Sequence, residues 1–365
     1  MASLFPEVKK TAPGLISGKT KILYVGNKIS IHGYTPCVIE TLGRRLEEAG
    51  YEVYYAGTVK NQALRSLEML WKTLVIGRKV KYILIDTYST VAFWYAYLTG
   101  LVARLIKTKY IPILHGGNLP SRLMESKRAC NTLFGNSYAN VAVSGYLSHE
   151  FEKAGYKTVI IPNSIVISKY PFKLREHPCP KLLWVRSFHR QYNPEMAADV
   201  LKELLKTYPD AELCMVGPDK DGSLGEFKNY INLLGIGDKV KITGLLKKEE
   251  WIKLSENYDF FINTTNVDNT PISVIEAMAL GMIVISTDAG GLKYLLSADN
   301  NSIMVSCGDA IAMSKAISAA MNDQSLCKKM SLNARYSVMN FDWSRVKNKW
   351  VGLLLADIPE TKSLD

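Results

Sequence analysis

The sequence predicts an α/β protein with parallel strands, and three observations carry that reading. Short apolar runs such as KILYVG, KYILIDTY, KLLWV and FFINTT read as buried strands, with helical spacing between several of them. The chain opens β-α-β: KILYVG ends in Gly26, CVIETLGRRLEEAG repeats apolar residues at Val38, Leu42 and Leu46, and YEVYYAG follows. The stretch DNTPISVIEAMALGMIVISTDAGG, Asp268 to Gly291, sets two helix starts at the carboxyl ends of neighbouring strands. Open α/β sheets place their ligands at such strand ends.

Each part of that stretch has a physical reading. After the strand FFINTT, Thr270 is the expected N-cap and Pro271 the first helical residue. The helix is expected to run through Ile275 and Met278 and to stop at Gly281. The amides of Ile272 and Ser273 are then placed for a phosphate, and Gly290 and Gly291 allow close backbone approach. Glu276 is a carboxylate among Ile275, Ala277, Met278 and Ala279. Unpaired burial is costly, so it needs a partner. Ligand hydroxyls would serve; so would neighbouring backbone amides, or exposure to solvent.

The chain has 365 residues, 47% hydrophobic and 22% charged, which makes it globular with room for two domains. Six scattered cysteines show no CxxC and no metal-ligand spacing, which favours a reduced cytoplasmic setting without structural zinc. The opening MASLFPEVKKTAPG has no apolar core of signal-peptide length and reads as a leader. Residues 1 to 170 carry 22 Lys and Arg against 10 Asp and Glu; residues 171 to 365 carry 23 against 24. Such a basic half suits anionic lipid or a pyrophosphate acceptor, or serves solubility. No nucleic-acid-binding motif accompanies it, which places nucleic acid last.

Further elements follow in order. The loop NKISIHGYTP carries Gly33 but no G-x-G-x-x-G, so a dinucleotide dehydrogenase is poorly supported. STVAFWYAYLTGLVARLI is apolar enough to raise a membrane span. Flanking strands and Arg104 favour a helix packed on the sheet, with a membrane-surface role left open. YIPILHGGNLP reads as a strand followed by His115, a residue that is either structural or in a pocket. VAVSGYLSHEFEKAG reads as strand and helix, and VIIPNSIVISKYPF as the domain crossover. KLLWV starts a second Rossmann-like domain, with Arg186 at the strand end and Arg190 further along the loop. AELCMVGPD and KVKITG are strands ending near Gly217 and Gly244-Leu245. SIMVS, the helix DAIAMSKAISAAMND and a last helix containing FDWSRVKNKWVGLLL complete the chain.

Asp268 and Glu276, eight apart and followed by EAMALG and then Gly290-Gly291, resemble the E-x7-E region of the GT4 (group 1) retaining glycosyltransferases. The first acidic residue is Asp where that family usually has Glu. Further pieces match in order over roughly residues 20 to 350. The resemblance implies the GT-B fold: two Rossmann-like domains facing a central cleft, with a C-terminal helix crossing back to the first. It implies that Glu276 holds the ribose hydroxyls of a nucleotide-sugar, and that Asp268, His115 and the Gly290-Gly291 backbone contact the donor sugar. Gly33 would lie near the donor phosphates, and the loops at Gly217 and Leu245 would flank the base. Ser144 falls at a matching position. Two departures stand out. Asn163-Ser164 replaces the usual Asn-Gly, and the family's Gly-Arg and later Lys fall on Arg186-Ser187 and Tyr192. The pyrophosphate cation is therefore Arg186 or Arg190, with Arg186 favoured by its strand-end position.

These readings give domains at 1–165, 166–340 and 341–365. The expected activity is retaining transfer of a sugar from a nucleoside-diphosphate sugar to a glycan or lipid-linked acceptor, in polysaccharide or glycolipid synthesis. No metal or other cofactor is expected. The expected setting is cytoplasmic and peripheral on an anionic membrane face. Two rivals remain: a nucleotide-sugar epimerase or hydrolase on the same fold, and a non-catalytic nucleotide-sugar-binding module.

Overall fold

The computed structural model describes residues 19–32 and 37–356. Gly33 and the opening leader lie outside the described residues. The rest forms two compact units, one of residues 19–164 and 343–356, the other Ile165–Asp342.

The first unit is built on six parallel strands: β1 (Lys21–Val25), β2 (Glu52–Ala56), β3 (Tyr82–Thr87), β4 (Lys109–Leu114), β5 (Asn140–Ala142) and β6 (Thr158–Ile160), in the order β2-β1-β3-β4-β5-β6. Ile22 to Val25 and Ile83 to Ile85 are wholly buried because helices cover the sheet on both faces. The apolar stretch at residues 89–106 folds as the helix Ala92–Leu105, with Phe93, Ala96, Gly100 and Ala103 turned inward. Among the described residues no helix is long and apolar enough to cross a membrane. The last helix, Trp343–Leu355, adds Val346, Trp350 and Leu354 to the core of this unit.

The second unit repeats the plan with β7 (Lys181–Val185), β8 (Glu212–Val216), β9 (Val240–Gly244), β10 (Phe260–Asn263), β11 (Ile283–Thr287) and β12 (Ile303–Val305). Their order is β12-β11-β10-β7-β8-β9, again all parallel. Trp184 is buried in β7, and its indole N–H donates to Thr264 Oγ1 at 3.0 Å.

Three local expectations need correction. The stretch read as a crossover contributes an edge strand, β6, because Thr158 to Ile160 pairs with Asn140 to Ala142. Thr270 does not cap the helix after β10: that helix is Ile272–Ala279, its N-cap is Pro271, and no side chain caps it. Several helices, among them Gln62–Ile76, Leu119–Glu125, Lys127–Phe134, Ser223–Leu233, Lys248–Leu254 and Gln324–Ser337, have no counterpart in the sequence reading.

Candidate functional site

In the second unit the chain steps one way from β7 to β9 and the other way from β10 to β12, so the strand order reverses between β7 and β10. Arg186 follows β7 and Asp268 follows β10. The two side chains form an ion pair between Arg186 Nη2 and Asp268 Oδ2. The Arg186 guanidinium also lies 4.8 Å from the centroid of the Tyr192 ring. Its Nε is buried with no partner among the described residues. Asp268 Oδ1 accepts the Asn269 amide at 2.8 Å.

Glycines hold this arrangement by backbone packing. Gly217 has φ +154, and a Cβ there would sit 1.7 Å from the Arg186 carbonyl oxygen. A Cβ on Gly290 would meet the Asp268 carbonyl at 2.3 Å, and one on Gly291 the Asn269 carbonyl at 2.1 Å. The Gly291 amide donates to the Asp268 carbonyl at 3.0 Å. The glycine pair therefore fixes the Asp268 loop, where the Gly291 amide is engaged.

The helix Ile272–Ala279 starts beside Asp268. Its first-turn amides at Ile272 and Ser273 have no intrahelical acceptor, while Val274 and Ile275 both donate to the Pro271 carbonyl. Thr270 Oγ1 and Ser273 Oγ are buried without a hydrogen-bond partner among the described residues. Buried hydroxyls are normally satisfied, so this pair marks a place where a ligand can bind. Glu276, one turn on, is 3% exposed. Its Oε1 accepts from the Tyr170 hydroxyl at 2.7 Å and from Lys248 Nζ at 2.5 Å. Neither a backbone amide nor exposure to solvent accounts for Glu276; two side chains that sequence reasoning missed do.

Two other expected residues are exposed. Arg190 is a surface residue whose guanidinium pairs with Glu226 at 2.7 Å, so Arg186 is the cation beside Asp268. Leu245 is exposed just beyond β9. Gly217 donates its amide to the Gly244 carbonyl at 2.9 Å, which joins the loops after β8 and β9.

His115 belongs to the first unit, after β4. Its Nε2 lies 2.8 Å from Asp86 Oδ1, and Tyr88 stacks on its ring at 5.3 Å. Asp86 is fully buried near the end of β3, beside β1, where the strand order of this sheet reverses. It also accepts from the Tyr24 hydroxyl at 3.0 Å. Gly26 leaves the room: a Cβ there would sit 2.6 Å from Asp86 Oδ2. Burial, and then the Asp86 charge, push the Tyr24 and Tyr88 phenols well above their ordinary pKa, so both stay protonated donors. The lone carboxylate in KYILIDTY was the sequence signal for Asp86. Ser144 caps the helix Gly145–Lys153 by accepting the Leu147 amide at 3.1 Å, a structural role.

Two six-stranded parallel sheets, each with its helices, make the GT-B fold. The structure of Anabaena Alr3699/HepE in complex with UDP and glucose matches with a TM-score of 0.74 at 16% identity, covering 92% of this chain and 99% of that one. Sucrose-phosphate synthase from Thermosynechococcus elongatus matches at 0.73 and 16% identity, covering 92% and 98%. Residues 167–337 match the family described as glycosyl transferases group 1. A relative from Campylobacter jejuni, GalNAc-alpha-(1->4)-GalNAc-alpha-(1->3)-diNAcBac-PP-undecaprenol alpha-1,4-N-acetyl-D-galactosaminyltransferase, is 24% identical over 174 residues, 47% of each chain. The GDP-mannose:cellobiosyl-diphosphopolyprenol alpha-mannosyltransferase of Xanthomonas oryzae is 22% identical over 194 residues, 53% of this chain and 51% of its own. The chain spans 47%, 30% and 37% of the length of the first three curated relatives it matches.

Proposed function

We propose that this protein is a retaining GT4-type glycosyltransferase that moves a sugar from a nucleoside-diphosphate sugar to a glycan or lipid-linked acceptor. The observation that carries this is the cluster around the start of the helix Ile272–Ala279. Arg186 and Asp268 are paired there, two hydroxyls are buried without partners, and Glu276 is held by Tyr170 and Lys248. In this reading Arg186 and the amides of Ile272 and Ser273 stabilise the charge that grows on the leaving diphosphate. Glu276 accepts from the ribose hydroxyls, and Asp268 faces the donor sugar.

The bond from the anomeric carbon to the diphosphate oxygen breaks, and the acceptor oxygen bonds to that carbon on the same face. The acceptor proton passes to the departing diphosphate oxygen, so no side-chain nucleophile and no metal is assigned to the step. The relatives' names, two of which carry diphospho-polyprenol-linked substrates, support an acceptor of that kind and a place in cell-surface glycan synthesis. The basic balance of residues 1 to 170 supports peripheral association with an anionic membrane.

The test is a screen of nucleoside-diphosphate sugars by thermal shift, followed by turnover with and without lipid-linked acceptors. Acceptor-dependent release of the nucleoside diphosphate is expected. Equal release without acceptor would favour a hydrolase, an epimerised donor an epimerase, and binding without turnover a binding module.

A further inference from the structure

The helix Gln62–Ile76 is apolar on two opposite sides. Met69 and Thr73 face the sheet. At about 100° per residue, Leu64, Leu67, Trp71, Leu74 and Val75 fall together on the far side, and all five are exposed. A core explains one stripe, not a second one facing outward.

The neighbouring helix Ala92–Leu105 continues that face. The steps from β2 to β3 and from β3 to β4 cross the sheet in the same direction. Right-handed crossovers then put both helices on one side of the sheet, and they pack against each other. The Thr108 hydroxyl ties their ends by donating to the Gly77 carbonyl at 3.0 Å. On the outer side of the second helix and at its N-cap, Val91, Trp94, Leu98 and Leu105 are exposed. Trp71 is 61% exposed, Trp94 45% and Leu105 76%. A contiguous apolar face of this kind marks an interaction surface.

Charge identifies the partner. Residues 60 to 110 contain nine Lys and Arg but only Glu68 and Asp86 as acids. Asp86 is wholly buried in β3. Glu68 is engaged by Lys72 and by the Thr58 hydroxyl and amide. The exposed charges where the two helices end are therefore all positive: Arg78, Lys79, Lys81, Arg104 and Lys107. A two-fold contact between copies would set this basic rim against itself, which disfavours a dimer through this face. Indole rings and leucines bordered by lysine and arginine suit the headgroup region of an anionic bilayer.

We propose that the outer face of the helices Gln62–Ile76 and Ala92–Leu105 docks on anionic lipid bilayers, inserting Leu67, Trp71 and Trp94 while the basic rim lies on the headgroups. This rests on the membrane part of the functional reading and assigns it a surface.

The test is co-sedimentation of the full chain with vesicles of phosphatidylglycerol and phosphatidylcholine, against phosphatidylcholine alone. The wild type is expected to bind the mixed vesicles at low salt, and to release at about 1 M salt, where the Debye length is about 3 Å. Leu67→Glu/Trp71→Glu is expected to lower partitioning at least about tenfold. Arg78→Glu/Lys79→Glu should weaken binding to the anionic vesicles only. Leu233→Glu, at a residue 83% exposed in the other unit, should bind as wild type. As a check independent of folding, the wild-type tryptophan emission should shift to the blue on adding vesicles, and Trp71→Phe should reduce that shift.

If the wild type ignores anionic vesicles, the membrane reading itself falls. If the wild type binds and the Leu67→Glu/Trp71→Glu protein, still folded, binds equally, the lipid surface lies elsewhere and this assignment is wrong. A wild-type dimer that these substitutions convert to monomer would make the face a contact between copies and overturn the proposal.

Discussion

Arg186 and Asp268 pair across the point where the strand order of the second sheet reverses, one following β7 and the other β10. Their positions come from backbone packing. The loop of Arg186 rests on Gly217, and that of Asp268 on Gly290 and Gly291. The two charges satisfy each other. In the proposed reaction a diphosphate at the adjoining helix start competes with Asp268 for the guanidinium.

Removing the guanidinium tests its role. Arg186→Ala should lower kcat with the best donor by about 10²- to 10³-fold, the usual loss for one group stabilising developing charge. Arg190→Ala should change kcat little, because Arg190 is bound to Glu226 at the surface. Steady-state kinetics on both variants separates the two arginines.

The glycine positions make a prediction about stability. Gly291→Ala places a methyl group 2.1 Å from the Asn269 carbonyl, so the Asp268 loop must shift. Overpacking of this kind costs about 1–3 kcal/mol. Gly225→Ala is the control: a Cβ there meets nothing within 4 Å, and alanine favours the helix. Urea denaturation should show Gly291→Ala destabilised and Gly225→Ala unchanged or slightly stabilised.

Glu68 gives a pH dependence. Burial opposes its charged form, but hydrogen bonds from Lys72, the Thr58 hydroxyl and the Thr58 and Val59 amides outweigh that and lower its pKa. A carboxylate with a depressed folded pKa contributes stability in full above its unfolded value, about 4.3. It loses that contribution as pH falls through the folded value. Thermal melts should show Glu68→Gln less stable than wild type at neutral pH, with the gap closing in acid below that range.

Much of this was legible in the sequence, and the gaps have physical reasons. Apolar runs located β1, β3, β4, β7 and β10, because strands buried on both faces need no polar alternation. Glu276 stood out as a carboxylate in an apolar helix. Its partners did not: Tyr170 and Lys248 are far away along the chain and meet it only in the fold. Arg186 and Arg190 share one loop, and only the folded strand end separates the buried cation from the surface one. Thr270 looked like a cap, yet its hydroxyl is buried without a partner among the described residues. The helix Gln62–Ile76 went unread because apolar residues on two opposite faces erase the periodicity that reveals a helix.

The most direct measurement is isothermal titration of UDP, with GDP in parallel, into the wild type, Glu276→Ala and Tyr170→Phe. One nucleotide should bind the wild type. Glu276→Ala should lose about 1.5–3 kcal/mol of binding, the value of a hydrogen bond to a charged group. Tyr170→Phe should lose about 0.5–1.5 kcal/mol, since it removes only a neutral donor that positions the carboxylate. A folded Glu276→Ala protein that binds the nucleotide as tightly as wild type would contradict the account.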